Sequence, residues 1–594
     1  MADLAPIAIA PPPGVILTET KRVIEGRWSD TINVRFVSAR PQKIGGWTKG
    51  FTDPTDGTAR TLHAWRDNVF SQYLAAGTYK KLYVYDPSGA QNDVTPYRST
   101  GTLGSNPFTT TSGSNVVQVA HTAHLLSVGD IIYISGATAV GGITPNGTFT
   151  VNTVTGANSF TFLFTSSATS STTGGGASVA FSYEVPIGTE LGAYGLGWGV
   201  GGWGLSTWGT ARTASTITIE PRVWSLDHFG KYLVATYNGG SVYSFDPTAA
   251  QPWGRAQLVD ASAPTNCRSM FVTPERFIFA LLDNMQVAWP SQGSMTDWTP
   301  SASNTANVRT LTEGTKLVAG RVLADYVSLV WTDAALYRFQ YTGSTYVYNS
   351  SMVAKDCGLV SPNACVTVGG VAYWMGQDNF YTYNGSVTPM PNVEDIRHYV
   401  FSRFKTDYSY QAAAIYNPKN NEVWFFWTPE GQQNPALGVI YSIDQQCWAP
   451  LYWARCGGTH FTQGDTRPYM ADPVTKLIYQ HENGHDADGA VLPWSVTLSP
   501  YAMSEGMVNY QIDAISPDFF DQVGDVDWTV RAWDRINDSS DMDEDSGSSP
   551  AIDSGDMECR VSGRYIGLTF SNSSLGSYFR LGKPVAFVRQ IGQR

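Results

Sequence analysis

The sequence predicts an all-β chain: a β-propeller of about seven blades, with a small β-sandwich module inserted and a β-rich domain at the C-terminal end. Three observations carry this. First, seven times an aromatic-rich strand breaks off in a short polar turn: Lys81-Leu-Tyr-Val-Tyr-Asp-Pro87, Ser241-Val-Tyr-Ser-Phe-Asp-Pro247, Met285-Gln-Val-Ala-Trp-Pro290, Ala335-Leu-Tyr-Arg-Phe339, Phe380-Tyr-Thr-Tyr-Asn-Gly385, Val439-Ile-Tyr-Ser-Ile-Asp444 and Lys476-Leu-Ile-Tyr-Gln480. One central residue from each (83, 243, 287, 337, 381, 441, 479) gives gaps of 160, 44, 50, 44, 60 and 38. A period of about 40 to 50 residues with several strands in each is the mark of propeller blades. Second, the outlying first gap contains a segment of different composition, 100 to 213, and removing its 114 residues leaves 46. Third, helical periodicity is almost absent.

Composition fits short strands and tight turns. Of 594 residues, 19 are Trp, 31 Tyr and 26 Phe, with 58 Gly and 32 Pro. Flat rings pack on pleated surfaces, while Gly and Pro supply turn geometry. Only 15% of residues are charged, against about 25% in a typical domain, so much of the surface is expected to be buried against partners. The formal charge of −12 argues against a basic groove that grips phosphate backbones. The N-terminus lacks the basic start and apolar stretch of a signal peptide, and no run of about 18 apolar residues offers a membrane span. The six cysteines form no CxxC pair and read as reduced, buried thiols of a protein made in the cytoplasm.

Taken in order, residues 1–50 read as an extended segment, 51–99 and 214–490 as the propeller, 100–213 as the insertion and 491–594 as the C-terminal domain. Four strands are expected in the insertion: Val116-Val-Gln-Val119, Asp130 to Ser135, Thr148 to Val154 and Phe160 to Phe164. Turns at Val128-Gly-Asp130, Pro145-Asn-Gly147 and Gly156-Ala-Asn-Ser159 separate them. The insertion ends in a Gly-rich stretch with Trp198, Trp203 and Trp208. These tryptophans need a surface to bury against and are candidate contacts with the propeller or a neighbouring subunit. A short helix is expected over Glu394 to Lys405, where Val393, Ile396, Val400, Phe401 and Phe404 recur at helical spacing. The run Asp534 to Glu558, with Asp538, Asp541, Asp543, Glu544, Asp545, Asp553, Asp556 and Glu558 against Arg535, reads as a solvated loop.

Several motifs invite over-reading. His481-Glu-Asn-Gly-His485 matches HExxH letter for letter, but zinc chemistry needs both histidines on one helical face. Here the motif follows a strand and contains Gly484, so it reads as strand and turn. Gly197-Trp-Gly-Val-Gly-Gly202 satisfies GxGxxG with no strand before it and no helix after it. Asp541-Met-Asp-Glu-Asp-Ser-Gly547 falls short of an EF-hand, because its Gly is one place late and Ile552 stands where a bidentate Glu is required; a looser divalent-ion site there stays open. His121 and His124 flank a strand end without a third ligand nearby. No nucleophile elbow or phosphate loop is present. The sequence assigns no catalytic residue, no metal ligand and no cofactor.

Read in order, the segments between the repeats resemble the tail-nozzle (packaged-DNA stabilisation) proteins of short-tailed bacteriophages, the podoviruses. The residues that carry this are Glu25-Gly-Arg-Trp-Ser-Asp, Val34-Arg-Phe36, Thr273-Pro-Glu-Arg-Phe277, Asp297-Trp-Thr-Pro300 and Val330-Trp-Thr-Asp-Ala-Ala-Leu-Tyr337. They continue through Asp356-Cys-Gly-Leu-Val-Ser361, Tyr373-Trp-Met-Gly376, Glu422-Val-Trp424, Ile478-Tyr-Gln-His-Glu482 and Ser562-Gly-Arg564 to Phe579-Arg-Leu-Gly582. The insertion, with His124-Leu-Leu-Ser-Val-Gly-Asp130, is similar to a small β-module of phage structural proteins and departs from the minimal family pattern.

The resemblance implies a non-enzymatic virion protein, assembled in the host cytoplasm into a ring, most often of six copies, below the portal and its adaptor ring. Its partners would be further copies of itself, the adaptor, tail fibres or spikes, the host outer surface, and viral duplex DNA passing through without specific binding. An acidic lining offers phosphates no sticking points. Asp541, Asp543, Glu544, Asp545, Asp553 and Asp556 are therefore the candidate channel-lining residues. The alternatives are a propeller that binds carbohydrate or depolymerises host surface polysaccharide, and a metal-dependent peptidase resting on His481 and His485.

Overall fold

The computed structural model describes residues 5–192, 220–249, 253–344, 346–536, 542–550 and 555–593. Seven of its four-stranded antiparallel sheets are propeller blades. Their innermost strands are Ala59–Arg66, Trp224–Phe229, Cys267–Val272, Leu317–Ala324, Cys365–Val368, Ala413–Asn417 and Gly457–Thr459. Each packs beside the next around a closed ring, the seventh returning to the first. All seven aromatic strand ends read from the sequence are the third strand of their blade: Leu82–Tyr85, Tyr243–Phe245, Gln286–Trp289, Ala335–Tyr341, Phe380–Tyr383, Leu437–Ser442 and Ile478–His481.

Blades stack face to face, so their middle strands are covered on both sides and lose the polar alternation of a one-sided sheet. Glu422–Trp427, second in blade 6, is buried at all six positions. Tryptophans fill the wedges between blades: Trp331 of blade 4 meets Trp374 of blade 5 edge to face at 5.6 Å, and both are fully buried. An apolar side chain buried in this way is worth about 1.5–3 kcal/mol relative to exposure. The expected helix is present as Glu394–Phe401, followed by a 3-10 turn over Thr406–Gln411, and links blade 5 to blade 6.

Blade 7 takes its outer strand from the far end of the chain. Trp47–Lys49 pairs antiparallel with Ile478–His481, with His481 opposite Trp47. The other strands of the N-terminal segment pair into sheets with strands from the C-terminal end of the chain. Ala5–Ala8 pairs with Val585–Gln593, Trp28–Ile32 with Trp494–Leu498, and Arg40–Lys43 with Tyr578–Leu581. These sheets enclose a core in which Trp494 stacks on Phe579 at 3.8 Å.

Between blades 1 and 2 the chain leaves the ring to build the inserted module, eight strands spanning Tyr97 to Glu184. The four expected strands are there. Four more were missed (Tyr97–Thr102, Phe108–Thr110, Thr172–Gly174, Ala180–Glu184), the first three being rich in Thr or Gly with no apolar run. Phe108, Phe160, Phe162, Phe181 and Tyr183 form the module's core. Its base is clamped by charge. Glu184, 3% exposed, meets Lys81 of blade 1 at 2.8 Å and Arg255 of blade 2 at 3.0 Å, and Asp93 pairs with the same two cations.

The six cysteines are free and buried. Burial pushes the thiols of Cys267, Cys447, Cys456 and Cys559 up to about 12 and that of Cys357 to about 11, which keeps them protonated and unreactive.

Candidate functional site

Residues scattered over the chain meet in a buried joint where the N-terminal segment crosses blades 6 and 7. Arg35, 1% exposed, donates from both terminal nitrogens to the Glu482 carboxylate, one of these bonds measuring 3.1 Å. A second carboxylate, Glu422, lies 3.4 Å from Arg35 Nε and accepts from Trp424 Nε1 at 2.8 Å and Asn417 Nδ2 at 3.3 Å. Two carboxylates thus share one guanidinium. Burial is the main reason the Glu422 carboxyl is pushed up to about 7, and the neighbouring charge of Glu482 adds to it, against the pull of Arg35.

The HExxH letters end in this joint, and their geometry is that of a strand end and turn. His481 closes the third strand of blade 7, Glu482 has φ 61° and Gly484 φ 69°. His481 Nε2 accepts from Arg455 Nε at 2.9 Å, and burial, with Arg455 and Arg35 nearby, holds its imidazole well below the usual range. Its lone pair belongs to Arg455 and the Glu482 carboxylate to Arg35. His485 points elsewhere, its ring 4.4 Å from that of Tyr578. Arg455 is itself enclosed by the rings of Trp47, Trp453 and Tyr479 at 4.8–4.9 Å. The segment is a structural plug.

The acidic run corrects an expectation. Its middle, Met542–Ser549, is the edge strand of a C-terminal sheet, paired with Val526–Trp533, and not a loop. Alternation explains how like charges sit in a strand. Glu544 faces Arg531 at 2.6 Å, while Asp543 and Asp545 on the other side accept the Ser562 and Arg560 amides, each at 2.9 Å. Carboxylates therefore fill the free edge of the neighbouring strand Met557–Gly563. Asp556 is exposed. Asp541, Asp553, Trp198, Trp203 and Trp208 lie outside the described residues.

The propeller axis holds a cavity of about 420 Å³, lined by the innermost strands. Two of the chain's eight histidines line it, His63 and His460, together with Asp227, Arg321 and Tyr416, and His228 stands beside Asp227 at its margin. His63 comes from blade 1, and Asp227 and His228 from blade 2. His63 Nε2 lies 3.1 Å from His228 Nδ1 and 3.7 Å from Asp227 Oδ1, and His228 Nδ1 lies 3.4 Å from that same oxygen. Asp227 is fixed by backbone amides, of His228 to Oδ1 and of Val272 to Oδ2, each at 2.8 Å. Burial pushes the His63 imidazole down to about 4 against the pull of Asp227, with His228 and Arg321 adding to the effect. Burial opposes the Asp227 charge, yet the hydrogen bond from His228, the two histidines and the Val272 amide hold its carboxyl below the usual range. Arg321 is tied to the wall through the carbonyls of Gly320 at 2.8 Å and Pro362 at 3.0 Å.

Sequence reading missed this cluster because each histidine stands alone in its strand. Counting back two strands from each aromatic strand end would have placed Thr61-Leu-His-Ala-Trp65 and Ser225-Leu-Asp-His228 on the axis.

No family model and no curated protein matches the chain. Among solved structures it is similar to BamB from Moraxella catarrhalis, at 10% identity over 45% of this chain and 84% of that one, with a TM-score of 0.26. It is also similar to the β-propeller domain of Myceliophteria thermophila Cps50 (Swd1), at 12% identity over 45% and 84%, with a TM-score of 0.29. Likeness at this level carries no functional argument, and the propeller is established by its own seven sheets.

Proposed function

We propose that the chain is a structural protein of a short phage tail, forming the distal nozzle that retains packaged DNA and releases it during ejection. One observation carries this reading. Four of the segments resembling tail-nozzle proteins, distant in sequence, supply the buried joint: Arg35 from Val34-Arg-Phe36, Glu422 and Trp424 from Glu422-Val-Trp424, His481 and Glu482 from Ile478-Tyr-Gln-His-Glu482, and Trp28, from the Glu25 segment, in the same core. The residues that carry the resemblance thus sit where the propeller meets the C-terminal sheets, which suits a protein whose task is mechanical.

The axial cavity cannot pass a duplex whose major groove alone is about 12 Å wide. A DNA conduit therefore has to lie between copies of the chain arranged as a closed ring, the family's usual number being six, with heterologous interfaces. The adaptor ring would cap it on one side, and fibres or the inserted module would face outward. The exposed Glu544 and Asp556 and the net charge of −12 would repel DNA from the bore.

Phage particles made without this chain test the proposal. They should fill their heads and then lose the genome, and adding the purified protein should restore retention. Particles that keep their DNA, or purified protein that releases new reducing ends from host polysaccharide, would replace the nozzle with the depolymerase reading.

A further inference from the structure

The geometry points to a binding site on the propeller axis for a divalent first-row transition ion of the zinc class, held by His63 Nε2, His228 Nδ1 and a carboxylate oxygen of Asp227. A triangle with sides of 3.1, 3.4 and 3.7 Å has a circumradius of about 2.0 Å, so a point just outside its plane lies one Zn–N or Zn–O bond length from all three atoms. Two imidazoles and one carboxylate on one face form a ligand set for such ions, with the remaining position open to the cavity. The backbone amides of His228 and Val272 orient the carboxylate as outer partners orient metal ligands.

Hydrogen bonding alone accounts for less of this arrangement. One proton joins the two rings at 3.1 Å, but Asp227 Oδ1 faces the ring nitrogens at 3.4 and 3.7 Å while already accepting the His228 amide. Arg321, on the same cavity, opposes a cation, so water or an anion is the expected fourth ligand.

The position gives the ion a task. His63 and His228 lie on neighbouring innermost strands of blades 1 and 2. These blades are separated in sequence by the whole stretch from Asp93 to Trp224, whereas Leu258 to Cys267 and Leu451 to Gly457 span the corresponding step elsewhere. An ion there staples the seam whose connection is the longest in the ring.

The test uses the full chain, freed of metal by a chelator and titrated with Co²⁺ followed by visible absorption, and with Zn²⁺ by calorimetry and thermal melting. A single ion per chain, tetrahedral-type Co²⁺ bands and a Zn²⁺-dependent rise in Tm are expected. His228→Gln, at a partly exposed position, should weaken binding by at least about tenfold and abolish the Tm rise measured against the variant's own metal-free melting. His63→Gln should do the same to binding, and His398→Gln on the connector helix should bind like the parent. Absence of stoichiometric binding by the parent chain, or unchanged binding by both His228→Gln and His63→Gln, overturns the site.

Discussion

Replacing Glu422 and Glu482 by glutamine, singly and together, separates two carboxylates that share one buried guanidinium. Glu482 makes the bidentate contact with Arg35, while Glu422 reaches only Nε, at 3.4 Å. A carboxyl whose midpoint rises from 4.5 to about 7 costs the fold about 3 kcal/mol once ionised. Between those values the folded chain holds a proton that the unfolded chain has lost. Stability therefore falls as pH rises through the window and levels off above it.

Glu422→Gln carries no such charge. Relative to the variant, the parent should lose up to about 3 kcal/mol between pH 4.5 and 7.5, read from the propeller transition in calorimetry at a series of pH values. Taking the difference removes the buried histidines. His481, held below its ordinary pKa, changes stability in the opposite direction, adding to it as pH rises through the usual histidine range.

Glu482→Gln leaves Arg35 without its main partner, a loss of about 3–5 kcal/mol, softened because Glu422 then ionises against Arg35 at lower pH. The double variant removes both partners and should lose more than the two singles added together. A parent-to-Glu422→Gln difference that is flat with pH, or equal losses for the two single variants at pH 8, would refute the shared-guanidinium account.

Three further outcomes follow from the packing. A Cβ at Gly46 would overlap the Asp486 backbone beside the strand that completes blade 7, so Gly46→Ala should cost about 1–3 kcal/mol and speed hydrogen exchange in Ile478–His481; unchanged exchange would deny the closure. Glu184→Gln should cost about 2–3 kcal/mol and make the inserted module separable by light proteolysis with its own core intact, whereas unchanged resistance would mean the clamp carries no load. Asp543→Ala with Asp545→Ala should cost about 1 kcal/mol for each and expose the Arg560 and Ser562 amides to exchange; protection equal to the parent's would show that these carboxylates do not guard the strand edge.

The propeller was legible because one strand in each blade repeats a composition: third strands such as Leu82–Tyr85, buried at every position, place aromatic residues just before a turn. The strand Trp47–Lys49 has three residues and no such marker, so its place in blade 7 depends on ring closure, which no local pattern records. The same holds for the sites. Arg35 and Glu482 stand 447 positions apart, and His63 meets His228 only because two innermost strands become neighbours. The acidic strand misled for a different reason. Composition says that like charges repel, but a period of two sends Glu544 to Arg531 and Asp543 with Asp545 to an open strand edge.

The central claim is that copies of this chain enclose a channel, which electron microscopy of the purified full-length protein, alone and with its adaptor ring, tests most directly. The account predicts closed rings, six-fold if the proposed nozzle reading holds, with a bore wide enough for duplex DNA and the strand Met542–Ser549 at the bore or its mouth. Isolated particles in both preparations, or rings that carry this strand on their outer surface, would contradict it.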